Sequence, residues 1–305
     1  MGGISVLSVA EQPACFRIGR RHVDVTHPGK AMFGPGGPTK GDLARYYEQV
    51  APALLRHARG RPLALESYPG GIAAPGFFMK SAPRHFPDWI ERAEVGKRGG
   101  SLTQVLARDA ATLVYLAGQN IVALHVWLSQ ADRPHQPDRV IIDLDPADGV
   151  PFAEIRAAAR EAGARLRDAG LAPFAMVTGS RGIHVVCPIR RGPDYQAAHG
   201  FARGVAEAMV QSDPERLTLT WKRSERGRRI YLDVNRNAYA QHVTAAYGVR
   251  ARAGAPVAMP IAWDELDDRR LAPDRWTIAT APGRLSAEGD AWRDLSRHAR
   301  ALPRR

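Results

Sequence analysis

Asp143 and Asp145 are the two residues whose type and spacing say most about chemistry in this sequence. They follow Val140, Ile141 and Ile142, an apolar and β-branched run that predicts a buried strand. Residues two apart on a strand point to the same face, so the two carboxylates stand side by side. Such a pair repels itself unless a hard cation such as Mg²⁺ or Mn²⁺ lies between them. The alternatives are a helix cap or a solvated turn.

Asp233 is a candidate third carboxylate for the same ion site. Apolar residues alternate with Tyr231 and Asp233 over 230–234, so Asp233 leaves a predicted strand with its carboxylate on the polar face. An exposed aspartate at a strand end is the alternative. Cations near a metal-binding carboxylate suit a phosphate-rich substrate, although each one is also explained as solvated surface charge. The basic residues of this cluster are Lys222, Arg223, Arg226, Arg228, Arg229, Arg236 and Arg250.

A polar, glycine-rich turn at 178–182 separates two apolar segments. Its glycines let backbone amides approach an anion, and its polar side chains add hydrogen-bond donors. One crossover helix separates the turn from the strand that carries Asp143, so we expect the two strands to be neighbours in one sheet. An ordinary hairpin is the alternative. The candidate phosphate donors are Thr178, Ser180, Arg181 and His184.

Phe77 and Phe78 precede Lys80 in a segment that follows several Gly and Pro residues. Two adjacent side chains cannot both face the core of a regular strand, and aromatics beside cations stack on nucleic-acid bases. Core packing is the alternative. His125 lies between Leu124 and Val126 and is interpreted, on its own, as a core histidine rather than a catalytic one.

The composition favours a nucleic-acid partner. The 305 residues include 43 Lys and Arg against 31 Asp and Glu, giving a net charge of +12. An arginine-rich, high-GC genome is the alternative explanation of that charge. No segment approaches the roughly 20 apolar residues of a membrane span, and the N-terminus has no signal pattern. The only cysteines, Cys15 and Cys187, exclude a disulfide framework or a cysteine zinc site. We therefore expect a cytoplasmic, nucleoid-associated protein with no membrane partner.

The elements that must position these residues mix helices with strands. Capping signals and apolar spacing predict helices that begin after Thr39 and at Pro151, and further helices over 102–116 and 195–210. Besides the strand at 139–142, strands are predicted over 174–178, 183–188, 217–221 and 229–234. This order predicts an α+β architecture rather than strict βα alternation.

Taken in order, these motifs resemble the polymerase domain of bacterial end-joining DNA ligases, in the archaeo-eukaryotic primase superfamily. The resemblance runs from about 25 to 266 and includes the segments 26–30, 38–42, 77–80, 140–146, 178–185, 231–233 and 247–250. It implies one primase-polymerase domain over 1–305, with an N-terminal extension over 1–24, a core over 25–266 and a C-terminal segment over 267–305. The implied fold is α+β, with mixed and antiparallel sheets that form a catalytic cleft flanked by helices.

The resemblance implies template-dependent addition of nucleotides to a primer 3′ end, which fills short gaps or break ends in DNA repair. By motif match, Asp143, Asp145 and Asp233 are the catalytic carboxylates and bind two divalent ions, Mn²⁺ or Mg²⁺. The residues that match contacts to the incoming NTP or dNTP are Thr178, Ser180, Arg181, His184, Arg250 and His125. The residues that match DNA contacts are Lys30 and Lys40, at a downstream 5′-phosphate, and Phe77, Phe78 and Lys80.

Four residues depart from the family pattern. Thr178 and Arg181 replace a serine and a lysine, Glu66 replaces a basic residue and Gln241 replaces a lysine. With no ligase or nuclease domain, the chain resembles the stand-alone members. We expect a monomer that acts on gapped or broken DNA, with Ku and a separate ligase as partners in end joining, or else in excision repair.

Three other functions are weighed against this one. A D-x-D phosphatase would use an aspartyl nucleophile, but it expects Thr or Val soon after the second aspartate, where this chain has Pro146. A D-x-D glycosyltransferase is a weaker alternative. A non-catalytic DNA-end binder would use Lys30, Lys40 and the aromatic residues without the carboxylates.

Overall fold

The computed structural model describes residues 12–97 and 99–303. Part of the predicted N-terminal extension, 1–11, lies outside the described residues. The strands, in chain order, are β1 (Ala14–Ile18), β2 (Arg21–Val25), β3 (Pro62–Ser67), β4 (Phe77–Met79), β5 (Arg92–Lys97), β6 (Gly100–Leu106), β7 (Ile121–Val126), β8 (Arg139–Pro146), β9 (Phe174–Val177), β10 (Ile183–Pro188), β11 (Leu217–Thr218), β12 (Ile230–Asp233), β13 (Val243–Thr244) and β14 (Met259–Ile261). The α-helices are α1 (Lys40–Ala58), α2 (Ala110–Gly118), α3 (Phe152–Asp168), α4 (Tyr195–Ser212) and α5 (Ala281–Glu288).

One six-stranded sheet carries both aspartate-bearing strands. Its order is β11-β12-β8-β10-β9-β14, and every neighbouring pair is antiparallel except β11 with β12. Helices α3 and α4 pack against β8 on one side of this sheet. Ile142 and Leu144 are fully buried, as the alternation along β8 predicts. The predicted neighbourhood of the Asp143 strand and the strand after the glycine-rich turn is confirmed, because β8 pairs with β10.

A second sheet has the order β13-β7-β3-β6-β5, and β4 pairs with β3. Helix α1 lies beside this sheet, where the Tyr47 hydroxyl donates to the Val122 carbonyl at 2.8 Å. The hydroxyl of Tyr46 donates to the carbonyl of Tyr247 at 2.7 Å. Strands β1 and β2 form a separate hairpin that contacts α2. These contacts join the N-terminal elements to the segment that follows β13.

Helix α1 begins where the sequence predicts it. The Thr39 side chain accepts a hydrogen bond from the Asp42 amide, and the Asp42 carboxylate accepts one from the Thr39 amide. This reciprocal capping box satisfies two amides that the first helical turn leaves unpaired. Leu43, Tyr47 and Leu54 are fully buried on one face of the helix.

The helix predicted over 102–116 is wrong in its first half. Residues 100–106 form β6, which pairs with β5 and β3, and the helix begins only at Ala110. The Asp109 carboxylate caps α2 by accepting from the Thr112 amide at 2.8 Å. The strand predicted over 217–221 is also shorter, since β11 ends at Thr218. The predicted α+β class is confirmed.

Candidate active site

The pairing of β12 with β8 brings the three predicted carboxylates together. Asp233 lies directly opposite Asp143 in the register, and Tyr231 lies opposite Asp145. All three aspartates line one cleft of about 520 Å³, to which both six-stranded sheets contribute residues. The side chains of Asp143 and Asp233 are 16% and 12% exposed, and that of Asp145 is 34% exposed. The carboxylates are therefore sheltered but open to a ligand in the cleft.

Arg236 lies between two of these carboxylates. Its Nε is 3.0 Å from Oδ2 of Asp233 and 3.7 Å from Oδ2 of Asp143. Burial raises the pKa of Asp143, but the charge and hydrogen bond of His184 and the charge of Arg236 outweigh burial and lower the pKa overall. Burial raises the pKa of Asp233, and the neighbouring Asp143 charge adds to that rise against the effect of Arg236. The two carboxylates thus share one guanidinium.

Asp145 has its own basic partners. Arg226 Nη1 donates to Oδ2 of Asp145 at 3.1 Å, and Arg181 Nη2 lies 3.5 Å from Oδ1. Within the described chain, no group of three or more His, Cys, Asp or Glu side chains forms a ready-made metal site. The donor set still fits hard divalent ions, because three carboxylates border one cleft and their present partners are cations. Divalent ions held by these carboxylates would compete with the basic side chains that now pair with them.

The glycine-rich turn borders the carboxylates. A Cβ on Gly182 would collide with the Leu144 carbonyl of β8, so glycine is required for this close approach. The Thr178 hydroxyl accepts from the Gly182 amide at 3.2 Å, which closes the turn. Thr178, Ser180, Arg181 and His184 all line the cleft. His184 lies opposite Asp143, with its Nε2 3.4 Å from Oδ1 of that aspartate.

Glu66 and His125 form a sheltered pair on the facing sheet. His125 Nε2 lies 2.6 Å from Oε1 of Glu66, and the Tyr68 hydroxyl donates to Oε2 at 3.1 Å. Burial lowers the pKa of His125 despite the opposing effect of Glu66. The pKa of Glu66 is lowered, because the hydrogen bond and charge of His125 and the charge of Arg250 outweigh burial. The histidine is therefore part of the cleft rather than of the core alone.

The predicted DNA-contacting residues fall into two places. Phe77 and Phe78 are 51% and 61% exposed, so core packing is wrong for both. Phe78 and Lys80 line the cleft with the carboxylates. Lys30 and Lys40 instead line a separate depression, where Lys30 donates to the Pro69 carbonyl and Lys40 to the Gly118 carbonyl.

Sequence reasoning missed His242 and Arg252. His242 lines the cleft and accepts a hydrogen bond from the Trp127 indole at 2.8 Å. Burial and the nearby Lys80 charge lower its pKa to about 3, so it is neutral. Arg252 donates to the Ser180 hydroxyl at 3.0 Å. Their positions depend on long-range packing, and the one local signal was their proximity in sequence to Gln241 and Arg250.

The sequence pattern described as LigD, primase-polymerase domain, matches residues 39–292. The chain belongs to this family. Two LigD proteins of non-homologous end joining are similar to it. That of Mycobacterium tuberculosis is 32% identical, and the match covers 88% of this chain and 36% of the relative. That of Pseudomonas aeruginosa is 30% identical, and the match covers 90% of this chain and 33% of the relative. The chain therefore spans about a third of the length of these relatives.

A solved structure, the polymerase domain from Mycobacterium tuberculosis ligase D in complex with DNA, matches with a TM-score of 0.85 at 30% identity. The match covers 91% of this chain and 99% of that domain. The primase-polymerase fold is thereby confirmed, as is the predicted class of polymerase-type nucleotidyltransferase. Across 12–97 and 99–303, no helix is long and apolar enough to cross a membrane.

Proposed function

We propose that this protein adds nucleotides, under the direction of a template, to a primer 3′ end at short gaps or break ends in DNA. The observation that carries the proposal is the meeting of Asp143, Asp145 and Asp233 in one cleft with a glycine-rich turn. The likeness to a polymerase domain solved with DNA supports the same conclusion.

Different residues would have different roles in this reaction. The three aspartates would hold two divalent ions, Mn²⁺ or Mg²⁺. When bound, such ions supply an activated 3′-hydroxyl and offset the charge of the transferred phosphoryl group. Arg181, Arg250 and the hydroxyl groups of the turn would bind and orient the triphosphate, because cations and fixed donors match its charge and oxygens.

Lys30 and Lys40 suit a second anion outside the cleft. Both lysines line the same depression as Thr26, His27 and Gly118. The anion that the family resemblance implies here is a 5′-phosphate on the downstream strand of a gap. The same DNA would reach the cleft, and the exposed Phe77 and Phe78 of β4 would stack on template bases. We further propose one primase-polymerase domain in a monomer, with Ku and a separate ligase as partners in end joining.

Primer extension on a gapped duplex with Mn²⁺ tests the proposal. Asp143→Ala combined with Asp145→Ala should abolish extension while DNA affinity changes less than about threefold, because carboxylates do not attract phosphates. Asp168→Ala, an exposed carboxylate outside the cleft, is the matched control. Normal extension by the double variant would contradict the proposal. DNA binding without any extension by the wild type would instead identify a DNA-end binder.

The same gapped duplex, with and without a 5′-phosphate on its downstream strand, tests the depression. Lys30→Ala combined with Lys40→Ala should remove any preference for the phosphorylated gap and leave affinity for the hydroxyl gap nearly unchanged. A wild type that binds both gaps equally would show that the depression is not a phosphate site.

A further inference from the structure

Trp221 is the most exposed large hydrophobic side chain in the described part of the chain. It is 70% exposed, and within 12–97 and 99–303 only Phe77 and Phe78 are comparable. Those two belong to β4, in the sheet that forms one side of the cleft. Trp221 instead belongs to the loop at 219–229, which joins β11 to β12 in the other sheet. An aromatic surface is thus present on each of the two sheets that border the cleft.

The loop holds Trp221 in a defined place next to the active site. The Arg226 guanidinium donates to the Trp221 carbonyl at 2.7 Å and to the Thr220 carbonyl at 3.1 Å. The same guanidinium donates to Asp145 at 3.1 Å and lies 4.0 Å from the centre of the Tyr231 ring. The Arg226 guanidinium therefore links the backbone of Trp221 to the carboxylate of Asp145. Its indole is exposed on a fixed segment.

The charge of the loop shows which partner suits this indole. Residues 219–229 contain five basic side chains and a single acid, Glu225, which pairs with Lys222 at 3.1 Å. Arg223 is exposed and lines the cleft. An aromatic ring among cations is the arrangement that binds single-stranded nucleic acid, because the ring stacks on a base while the cations contact the backbone. An apolar protein surface is a poorer partner, because its binding would remove water from these charges without pairing them.

We propose that Trp221 is a second stacking platform, on which an unpaired base of the bound DNA rests on the side of the cleft opposite Phe77 and Phe78. This inference rests on the proposed function, in that DNA occupies the cleft. Stacking on an indole is available to every base, so the contact would be tolerant of sequence. Together with the two phenylalanines, it would hold the single-stranded part of a gap from both sides.

Tryptophan emission tests the contact directly. The chain has six tryptophans, all within the described ranges 12–97 and 99–303, and Trp221 is the only exposed one among them. A gapped duplex with a single-stranded thymine stretch should quench the emission of the wild type, and Trp221→Phe should abolish most of this quenching. Trp263→Phe, which removes a partly buried indole beside Arg167 outside the cleft, is the matched control and should keep it. Equal quenching in the wild type and in Trp221→Phe would overturn the proposal.

Affinity for the same duplex gives a second measurement. Trp221→Ala should weaken binding about tenfold, the size of one lost base–aromatic stack. Trp221→Phe should recover most of the affinity. The slope of log K against log salt should stay the same in Trp221→Ala, whereas Arg223→Ala should reduce it by about 1. Two results for Trp221→Ala would overturn the proposal: an affinity equal to that of the wild type, or a salt slope smaller than that of the wild type.

Primer extension by the wild type separates the two proposals. If the wild type extends primers and Trp221→Ala binds DNA normally, the stacking platform is wrong and the polymerase proposal stands. If DNA quenches Trp221 but the wild type extends no primer, the stacking contact stands and the polymerase proposal is wrong.

Discussion

Arg236→Gln should make the protein bind divalent ions more tightly. The Arg236 guanidinium lies 3.7 Å from Asp143 and 3.0 Å from Asp233, two of the carboxylates that would hold the proposed ions. A guanidinium and a metal ion compete for the same pair of carboxylates, so the metal must displace the arginine before it binds. Glutamine removes the competing charge and keeps a polar side chain that ends at the position of the arginine Nε. The measured quantity is the shift of the melting temperature on addition of Mn²⁺.

The size of the effect follows from the geometry. Two unit charges 4 Å apart attract each other by about 4 kcal/mol at an effective dielectric constant of about 20. The Arg236 side chain is 40% exposed, so solvent screening and side-chain entropy reduce its competition to about 1–2 kcal/mol. That range corresponds to an increase in Mn²⁺ affinity of roughly 5- to 30-fold. At an Mn²⁺ concentration that saturates both proteins, the variant should therefore gain about 2–3 °C more than the wild type.

Thermal melts with and without Mn²⁺ provide the assay. Asp143→Asn should lose most of the Mn²⁺-dependent rise, because it removes one of the two shared carboxylates. Arg203→Gln, which breaks an exposed ion pair with Glu207 on α4, is the matched control and should behave as the wild type. If Mn²⁺ shifts Arg236→Gln and the wild type equally, the arginine does not compete with the ion. If Asp143→Asn keeps the full shift, the ion binds elsewhere.

Two further predictions concern buried or sheltered carboxylates. The Asp290 side chain is 4% exposed and accepts hydrogen bonds from His57 at 3.0 Å and from Tyr247 at 2.8 Å. Asp290→Asn should therefore lower the free energy of unfolding, measured by urea titration at pH 7, by about 3–5 kcal/mol. Burial raises the pKa of Asp290, but its hydrogen bonds, first that of His57, outweigh burial and hold the pKa well below its usual range. The stabilisation is thus complete above about pH 5 and is lost as the pH falls further, so an equally large difference at pH 2.5 would contradict the reasoning. Glu66→Gln should lower the KM for nucleotide about three- to tenfold with a smaller change in kcat, because it removes a negative charge from the cleft that is proposed to bind the triphosphate. Glu66→Asp keeps the charge and is its control, and an unchanged KM in Glu66→Gln would show that this charge does not face the nucleotide.

Local signals predicted the individual elements well. The capping box at Thr39 fixes the start of α1, and the alternation along β8 fixes which side chains are buried. The same reasoning failed at 102–106, where Leu102 and Leu106 have a spacing that also suits a helix. Pairing with β5 and β3, partners that no local pattern identifies, makes that segment a strand.

The site was predictable in its residue types but not in its contacts. The sequence favours carboxylates at three strand positions, whereas the meeting of Asp143 with Asp233 depends on the register between strands 90 residues apart. The contact between Glu66 and His125 was unpredictable for the same reason. It depends on the pairing of β3 with β7, two strands separated by more than 50 residues in the sequence. Glu66 was noticed only as a departure from the family pattern, and its partner could not be deduced.

The arginines of the cleft offset the repulsion among its three carboxylates. Three sheltered carboxylates would repel one another, but Arg236, Arg226 and Arg181 pair with them at 3.0–3.5 Å. If the proposed divalent ions and triphosphate bind, the carboxylates would pair with the ions and the arginines with phosphate oxygens. Binding would then exchange one set of ion pairs for another and leave neither charge unpaired. On this proposal, the arginines neutralise the carboxylates before binding and would be available to the substrate afterwards.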